Sequence, residues 1–183
     1  MQLQPIMDKY HMFDVTIRNA ESTINDITLK LSATPSLFEK EKNVISEHNS
    51  DFLSETGLKN TMQTIDYMLR PKMVISCNYD ILFGSHMAFT PFRYELNYRN
   101  FWVVTKGIVA VKLSPPINSM YFHPKYDYDT FEFSSIINPW KPQPEYEVEF
   151  SKAKGLEIQL QPGSVLCIPP YWWYSFQLLT ADA

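Results

Sequence analysis

The spacing of apolar residues changes character near residue 72. Before it, residues 11–18 alternate around Phe13, Val15 and Ile17, and residues 27–31 alternate likewise, so a period of two predicts two short strands. Residues 34–50 carry Pro35 and the charged run Glu39-Lys40-Glu41-Lys42, which predicts a surface loop with one helical turn at most. Over residues 57–69 the period lengthens. Leu58, Met62, Ile65, Met68 and Leu69 recur at near-helical spacing, and Pro71 cannot continue a helix. That stripe predicts one helix with an apolar face turned to a core.

From residue 72 onward the pattern is short strands between turns. Residues 73–77 and 79–83 are brief apolar runs. Residues 100–105 and 108–113 flank Lys106-Gly107, which predicts a hairpin, and Pro115-Pro116 ends the pair. Residues 118–144, rich in Tyr, Phe, Asp and Pro, predict a long loop. Strands are then predicted at 146–150, 156–160, 164–168 and 172–179, separated by turn residues such as Gln161-Pro162-Gly163. Regular short strands with little helix predict a sandwich or barrel. The expected organisation is therefore mainly β with an N-terminal helix, residues 1–71 packing on a barrel formed by residues 72–183.

Composition narrows the function classes. The chain has 183 residues and is 45% hydrophobic, enough for one ordinary globular domain. A net charge of −4 argues against non-specific nucleic-acid binding. No apolar run approaches the roughly 20 residues that span a bilayer, and the polar, acid-containing start of the chain does not read as a secretory signal. Two cysteines, Cys77 and Cys167, make no disulfide framework. Cys167 lies in an apolar run and is expected to be a buried free thiol, and a reducing compartment such as the cytoplasm is the default. Lys outnumbers Arg 12 to 4, and Asn, Ile, Tyr and Phe are frequent, a bias shared by AT-rich genomes including those of large DNA viruses. Phosphate loops, nucleophile elbows and zinc-type spacings are absent from the sequence.

Two segments carry chemistry-bearing patterns. The first is Thr90-Pro91-Phe92-Arg93-Tyr94-Glu95, followed by Asn100-Phe101-Trp102, then Lys106-Gly107 and Pro115-Pro116. The second runs Pro162-Gly163-Ser164-Val165-Leu166-Cys167-Ile168-Pro169-Pro170-Tyr171-Trp172-Trp173-Tyr174. On its own physics the second is a tight turn, an apolar strand, a proline bend and an aromatic anchor. Together the segments resemble the JmjC/cupin-like 2-oxoglutarate oxygenases, especially the asparaginyl-hydroxylase type, over residues 72–179. That family reads T-P-x-H-x-D, then N-F-[FWY], K-G and PP, and later P-G-D-x-L-x-I-P-x-x-W-W-H. The resemblance implies a double-stranded β-helix barrel of cupin or jelly-roll type. It also implies an iron site of two His and one carboxylate, with 2-oxoglutarate as cosubstrate.

The departures fall on the ligand positions. Arg93 stands at the first His, Glu95 at the carboxylate and Tyr174 at the second His. Val109 stands where the closest relatives place a cosubstrate-binding Lys. A shift of register by one brings in Tyr94 or Leu96 but no His. Arg stays protonated and offers donors only, so it cannot ligate iron. His11, His48, His86 and His123 form no paired spacing that would replace the lost ligands. Arg93 is expected either to stand in for the lost cation, pairing with Glu95 beside Tyr174, or to be a plain surface residue at a strand end. Thr90, Trp102, Trp172 and Trp173 are candidate pocket residues, with packing as the simpler use of the tryptophans. The resemblance further implies a closing strand beyond residue 179, so either the sequence is a fragment or a partner chain or the N-terminal strand fills that place.

These observations predict a pseudoenzyme, with no metal and no cofactor. It would serve a structural or interaction role beside a protein partner or a second copy, with a virus particle as one such assembly. The alternatives are an Fe(II)/2-oxoglutarate-dependent protein hydroxylase with unusual ligands and a small-molecule-binding cupin.

Overall fold

The computed structural model describes residues 14–16, 30–32, 45–70, 72–74, 76–97, 99–129 and 131–180. The chain divides into two compact units after Ser85.

In the first unit, β1 (Asp14–Thr16) and β2 (Lys30–Ser32) pair antiparallel with Val15 opposite Leu31. The remaining residues of the two predicted strands, His11 among them, lie outside the described residues, as do residues 34–44 of the predicted loop. β3 (Ile45–Ser46) falls inside the predicted loop, and α1 (Ser50–Thr56) then covers residues 51–56, for which the sequence pattern predicted no element. Asp80 supports its start by accepting from the backbone N–H groups of His48 and Asn49 at 2.8 and 2.6 Å. Phe52, Leu53 and Thr56 form its buried face, and Gly57, in the left-handed region, ends it.

α2 (Leu58–Leu69) is the predicted helix, with Leu58 buried and Met62 and Leu69 half-buried. The side chains of Ile65 and Met68 lie outside the described residues. Asp66 closes the last turn by pairing with Arg70 and accepting from the Tyr79 hydroxyl at 2.7 Å. Of the apolar runs 73–77 and 79–83, only Phe83 enters a strand among the described residues, β4 (Phe83–Gly84), which pairs with β3. The polar neighbours Tyr79 and Asp80 spend their groups on Asp66 and on helix capping instead.

The second unit is mainly antiparallel β. Its strands are β5 (Arg93–Tyr94), β6 (Asn100–Val103), β7 (Val109–Ser114), β8 (Pro124–Asp127), β9 (Glu132–Ser135), β10 (Leu156–Leu160), β11 (Val165–Ile168) and β12 (Trp173–Leu178). A six-stranded sheet runs in the order β10-β7-β12-β5-β9-β8, and β6 pairs with β11 in a second sheet. The Trp102 ring of β6 sits 4.5 Å from Phe176 and 5.9 Å from Tyr174 of β12, centroid to centroid, so the small sheet lies over the large one.

Four expectations need correction here. The segments flanking Lys106-Gly107 are strands but not a hairpin. β6 pairs with β11, while β7 pairs with β10 and β12, so Gly107 (φ 74°) turns the chain from one sheet to the other. Residues 118–144 are not one loop: a 3₁₀ helix (Pro116–Tyr121) leads into a β8–β9 hairpin in which Phe133 pairs with Tyr126. Residues 146–150 are helical, not extended. Within them α3 (Glu147–Phe150) turns Phe150 onto the core, where Ala153, just past the helix, also packs, and Phe150 N–H donates to the Tyr146 carbonyl at 2.8 Å. Cys167 is exposed, because alternation on β11 buries Ile168 and turns Cys167 and Val165 outward.

The turn at Gln161-Pro162-Gly163 forms where expected. Gly163 adopts φ 88°, a value side-chain-bearing residues rarely reach, and its N–H donates to the Val104 carbonyl at 2.8 Å. Gly155, just before β10, meets a different need. A Cβ there would lie 2.7 Å from the Leu113 carbonyl oxygen, so the β10–β7 contact requires glycine.

The two faces of the six-stranded sheet differ. Register puts Val109, Val111 and Leu113 opposite Leu178, Phe176 and Tyr174, all on the face under β6. Trp173 points the other way, into Phe92 and Phe122, each 5.4 Å from its ring, with Tyr94, Tyr121, Phe150 and Ala153 around them. Burying an aromatic ring of this kind contributes about 1.5–3 kcal/mol. Trp140 and Pro139 cover more of this face: the Trp140 indole donates to Ser175 at 2.8 Å and Lys112 to the Pro139 carbonyl at 2.9 Å.

Candidate functional site

Arg93 and Tyr174 are direct cross-strand partners on β5 and β12, so their side chains share one face. Glu95 lies just beyond β5, where its carbonyl accepts from the Tyr171 N–H at 3.0 Å. The structure brings these three side chains together. The Tyr174 hydroxyl donates to Glu95 Oε1, and Asn97 Nδ2 donates to Glu95 Oε2 at 2.8 Å. The Arg93 guanidinium carbon lies 5.8 Å from the centroid of the Tyr174 ring, within cation–π range.

Tyr174 is fully buried. Burial pushes its phenol well above the ordinary value of 10, Arg93 pulls it partly back, and the Glu95 charge and hydrogen bond push it up again. The phenol is therefore a neutral donor at physiological pH. As a set, the three positions offer one carboxylate already accepting from two donors, one protonated phenol and one guanidinium. That set does not fit an iron ion that wants two imidazoles and a carboxylate. Among the described residues no three His, Cys, Asp or Glu side chains converge to hold a metal ion. His48 and His86 are exposed, and His123 instead pairs with Glu149 at 2.6 Å.

The other predicted positions are distributed by strand alternation. Val109 is 8% exposed between Leu160 and Leu178, an apolar environment with no group to receive a carboxylate. Thr90 is buried and stitched to β12. Its N–H donates to the Phe176 carbonyl, its hydroxyl accepts from the Phe176 N–H, both at 2.9 Å, and its carbonyl accepts from the Ser175 hydroxyl at 2.7 Å. Trp173 belongs to the opposite face, where its indole donates to Ser119 at 2.7 Å. Trp172 is half-buried in the turn before β12, its N–H bonded to the Pro169 carbonyl at 3.3 Å. Trp102 alone of the tryptophans packs on Tyr174. On the shifted register, Tyr94 stacks on Phe133 at 5.0 Å on the Trp173 face, and Leu96 is 45% exposed.

Sequence reasoning missed Asn97 and gave Asn100 no role. Asn97 stands two residues after Glu95, a spacing at which an amide readily reaches a carboxylate. Asn100 Nδ2 and Trp102 Nε1 are both buried donors without a hydrogen-bond partner. They are two residues apart on β6 and so share a face, the one that covers Tyr174 and Phe176.

The sequence profile of the cupin-like domain matches residues 10–181 of the chain. The chain belongs to the cupin-like family. Within it, the chain is similar to HSPB1-associated protein 1 of the mouse, with 29% identity over 97 residues. That match covers 52% of this chain and 20% of the mouse protein, so the chain spans about one fifth of its curated relative. The mainly antiparallel sheets of the second unit agree with this membership.

Proposed function

We propose that this chain is a non-catalytic cupin-like protein that kept its barrel as a binding or structural element of a larger assembly. The observation that carries the reading is the closed cluster of Tyr174, Glu95 and Arg93. It occupies the positions at which the resemblance to JmjC asparaginyl hydroxylases expects the iron ligands. Val109 in place of the cosubstrate lysine supports the same reading, and so does a mouse relative named for association with another protein. Support for a virus particle as the assembly rests on composition. Two exposed free cysteines fit a reducing compartment.

The test is iron content and 2-oxoglutarate turnover of the purified chain. The reading expects sub-stoichiometric iron and no turnover above buffer. Stoichiometric iron with turnover would favour a hydroxylase that uses Glu95 as its surviving ligand.

A second reading is favoured by one observation. The buried donors of Asn100 and Trp102 lie beside aromatic rings. A metal-independent cupin would satisfy them with an acceptor-bearing small molecule. Quenching of Trp fluorescence across a set of small carboxylates and sugars, lost in Trp102→Phe, would support it. No response across the set would set it aside.

A further inference from the structure

Among the described residues, the two edges of the six-stranded sheet are built differently. β8 starts with Pro124, carries Lys125 and Asp127 in four residues, and ends in a hairpin turn. Proline and charge are the usual guards of an open edge. β10 has neither proline nor bulge, and its register with β7 is unbroken over five residues. Glu157 is the single charge in Leu156-Glu157-Ile158-Gln159-Leu160, and it leans back to Lys112 at 3.5 Å. Leu156 is 60% exposed although it shares the inner face with Ile158 and Leu160.

The β10 pattern reads the same way in both directions. An antiparallel pairing with a second copy, centred on Ile158, sets Leu156 opposite Leu160, Ile158 opposite itself and Glu157 opposite Gln159. No like charges meet, and the apolar row of one copy continues into the other. The 3₁₀ helix sits beside this edge, since Asn118 Nδ2 donates to the Lys154 carbonyl at 2.7 Å. It brings Ile117 and Met120, 81% and 73% exposed, to the end of the strand that carries Leu156.

We propose that β10 is a self-association edge, pairing with β10 of a second copy in a two-fold symmetric dimer. This deepens the interaction reading by naming one partner surface, and it is tested without reference to turnover. A twofold interface doubles every change, and that makes the test directional. Gln159→Glu places two like-charge pairs across the dimer, and Gln159→Lys places two opposite-charge pairs.

Sedimentation velocity of the full chain over a micromolar concentration series is expected to show a reversible monomer–dimer equilibrium. Gln159→Glu should weaken the dimer by roughly two- to thirty-fold and Gln159→Lys should tighten it by a similar factor. Gln159 is exposed, so both variants should keep the parent circular dichroism spectrum. A chain that stays monomeric throughout would overturn the proposal. So would a dimer whose affinity is indifferent to both substitutions, or shifts the same way with both. Loss of catalytic incapacity in the turnover assay would leave this result untouched, and a monomer would leave the reading of the site untouched.

Discussion

Trp173 and Tyr174 are consecutive on one strand and serve two different regions. Trp173 enters an aromatic cluster in which its one polar atom is satisfied by Ser119. Tyr174 enters a polar cluster whose carboxylate, phenol and guanidinium hold one another, beside buried donors on β6 that have no partner. The first region is what makes the chain fold as a cupin-like protein. The second is where the resemblance expects an iron site and where Arg93, Glu95 and Tyr174 stand. Adjacent positions on a strand face opposite environments, so one face can differ in residue type without disturbing the other.

If that contrast is right, substitutions on the two faces should separate in size and kind. Trp173→Ala should cost the most, about 3–5 kcal/mol, by opening a cavity among Phe92, Phe122 and Phe150. Chemical denaturation would show it, and a loss below about 1 kcal/mol would mean the cluster is not the core it resembles. Tyr174→Phe should cost less, about 1–3 kcal/mol, because it leaves a half-buried Glu95 oxygen without its donor while keeping the ring. A neutral outcome would show that the phenol–carboxylate bond does not hold the site together.

The same phenol predicts an alkaline limit. Its pKa is raised in the folded chain, so its contribution is fully present below the ordinary value of 10 and is lost as pH rises above that. Denaturation midpoints of the parent chain should fall more steeply above about pH 10 than those of Tyr174→Phe. Parallel slopes would remove Tyr174 as the cause. The smallest effect is expected at Cys167. Cys167→Ser should change stability by less than about 0.5 kcal/mol, and the parent thiol should react with a thiol reagent without denaturant.

Much of the scaffold was readable in the sequence because it rests on local signals. Pro162-Gly163 encodes its own turn, the apolar run Val165 to Ile168 its own strand, and the 57–69 stripe its own helix. What was not readable depends on partners distant in sequence. Lys106-Gly107 has hairpin chemistry, but its flanking strands find better partners in β11, β10 and β12. Cys167 sits in an apolar run, yet exposure depends on which face of a two-stranded sheet is covered. Phe150 is helical with a core on one side of it, which a short apolar run does not reveal. At the site, the sequence indicated that Arg93, Glu95 and Tyr174 lie near one another, and the structure brings them together. The hydrogen bonds among them, and Asn97, required the fold to bring residues 95 and 174 together.

On the proposed reading, the side chains at positions 93 and 174, not the scaffold, keep this fold from holding iron. Anaerobic calorimetric titration of Fe(II) into the parent chain and into the Arg93→His/Tyr174→His variant tests it most directly. The parent should show no saturable iron binding and the variant a gained site, with Glu95 as third ligand. Saturable binding of one iron per parent chain, abolished by Glu95→Ala, would contradict it.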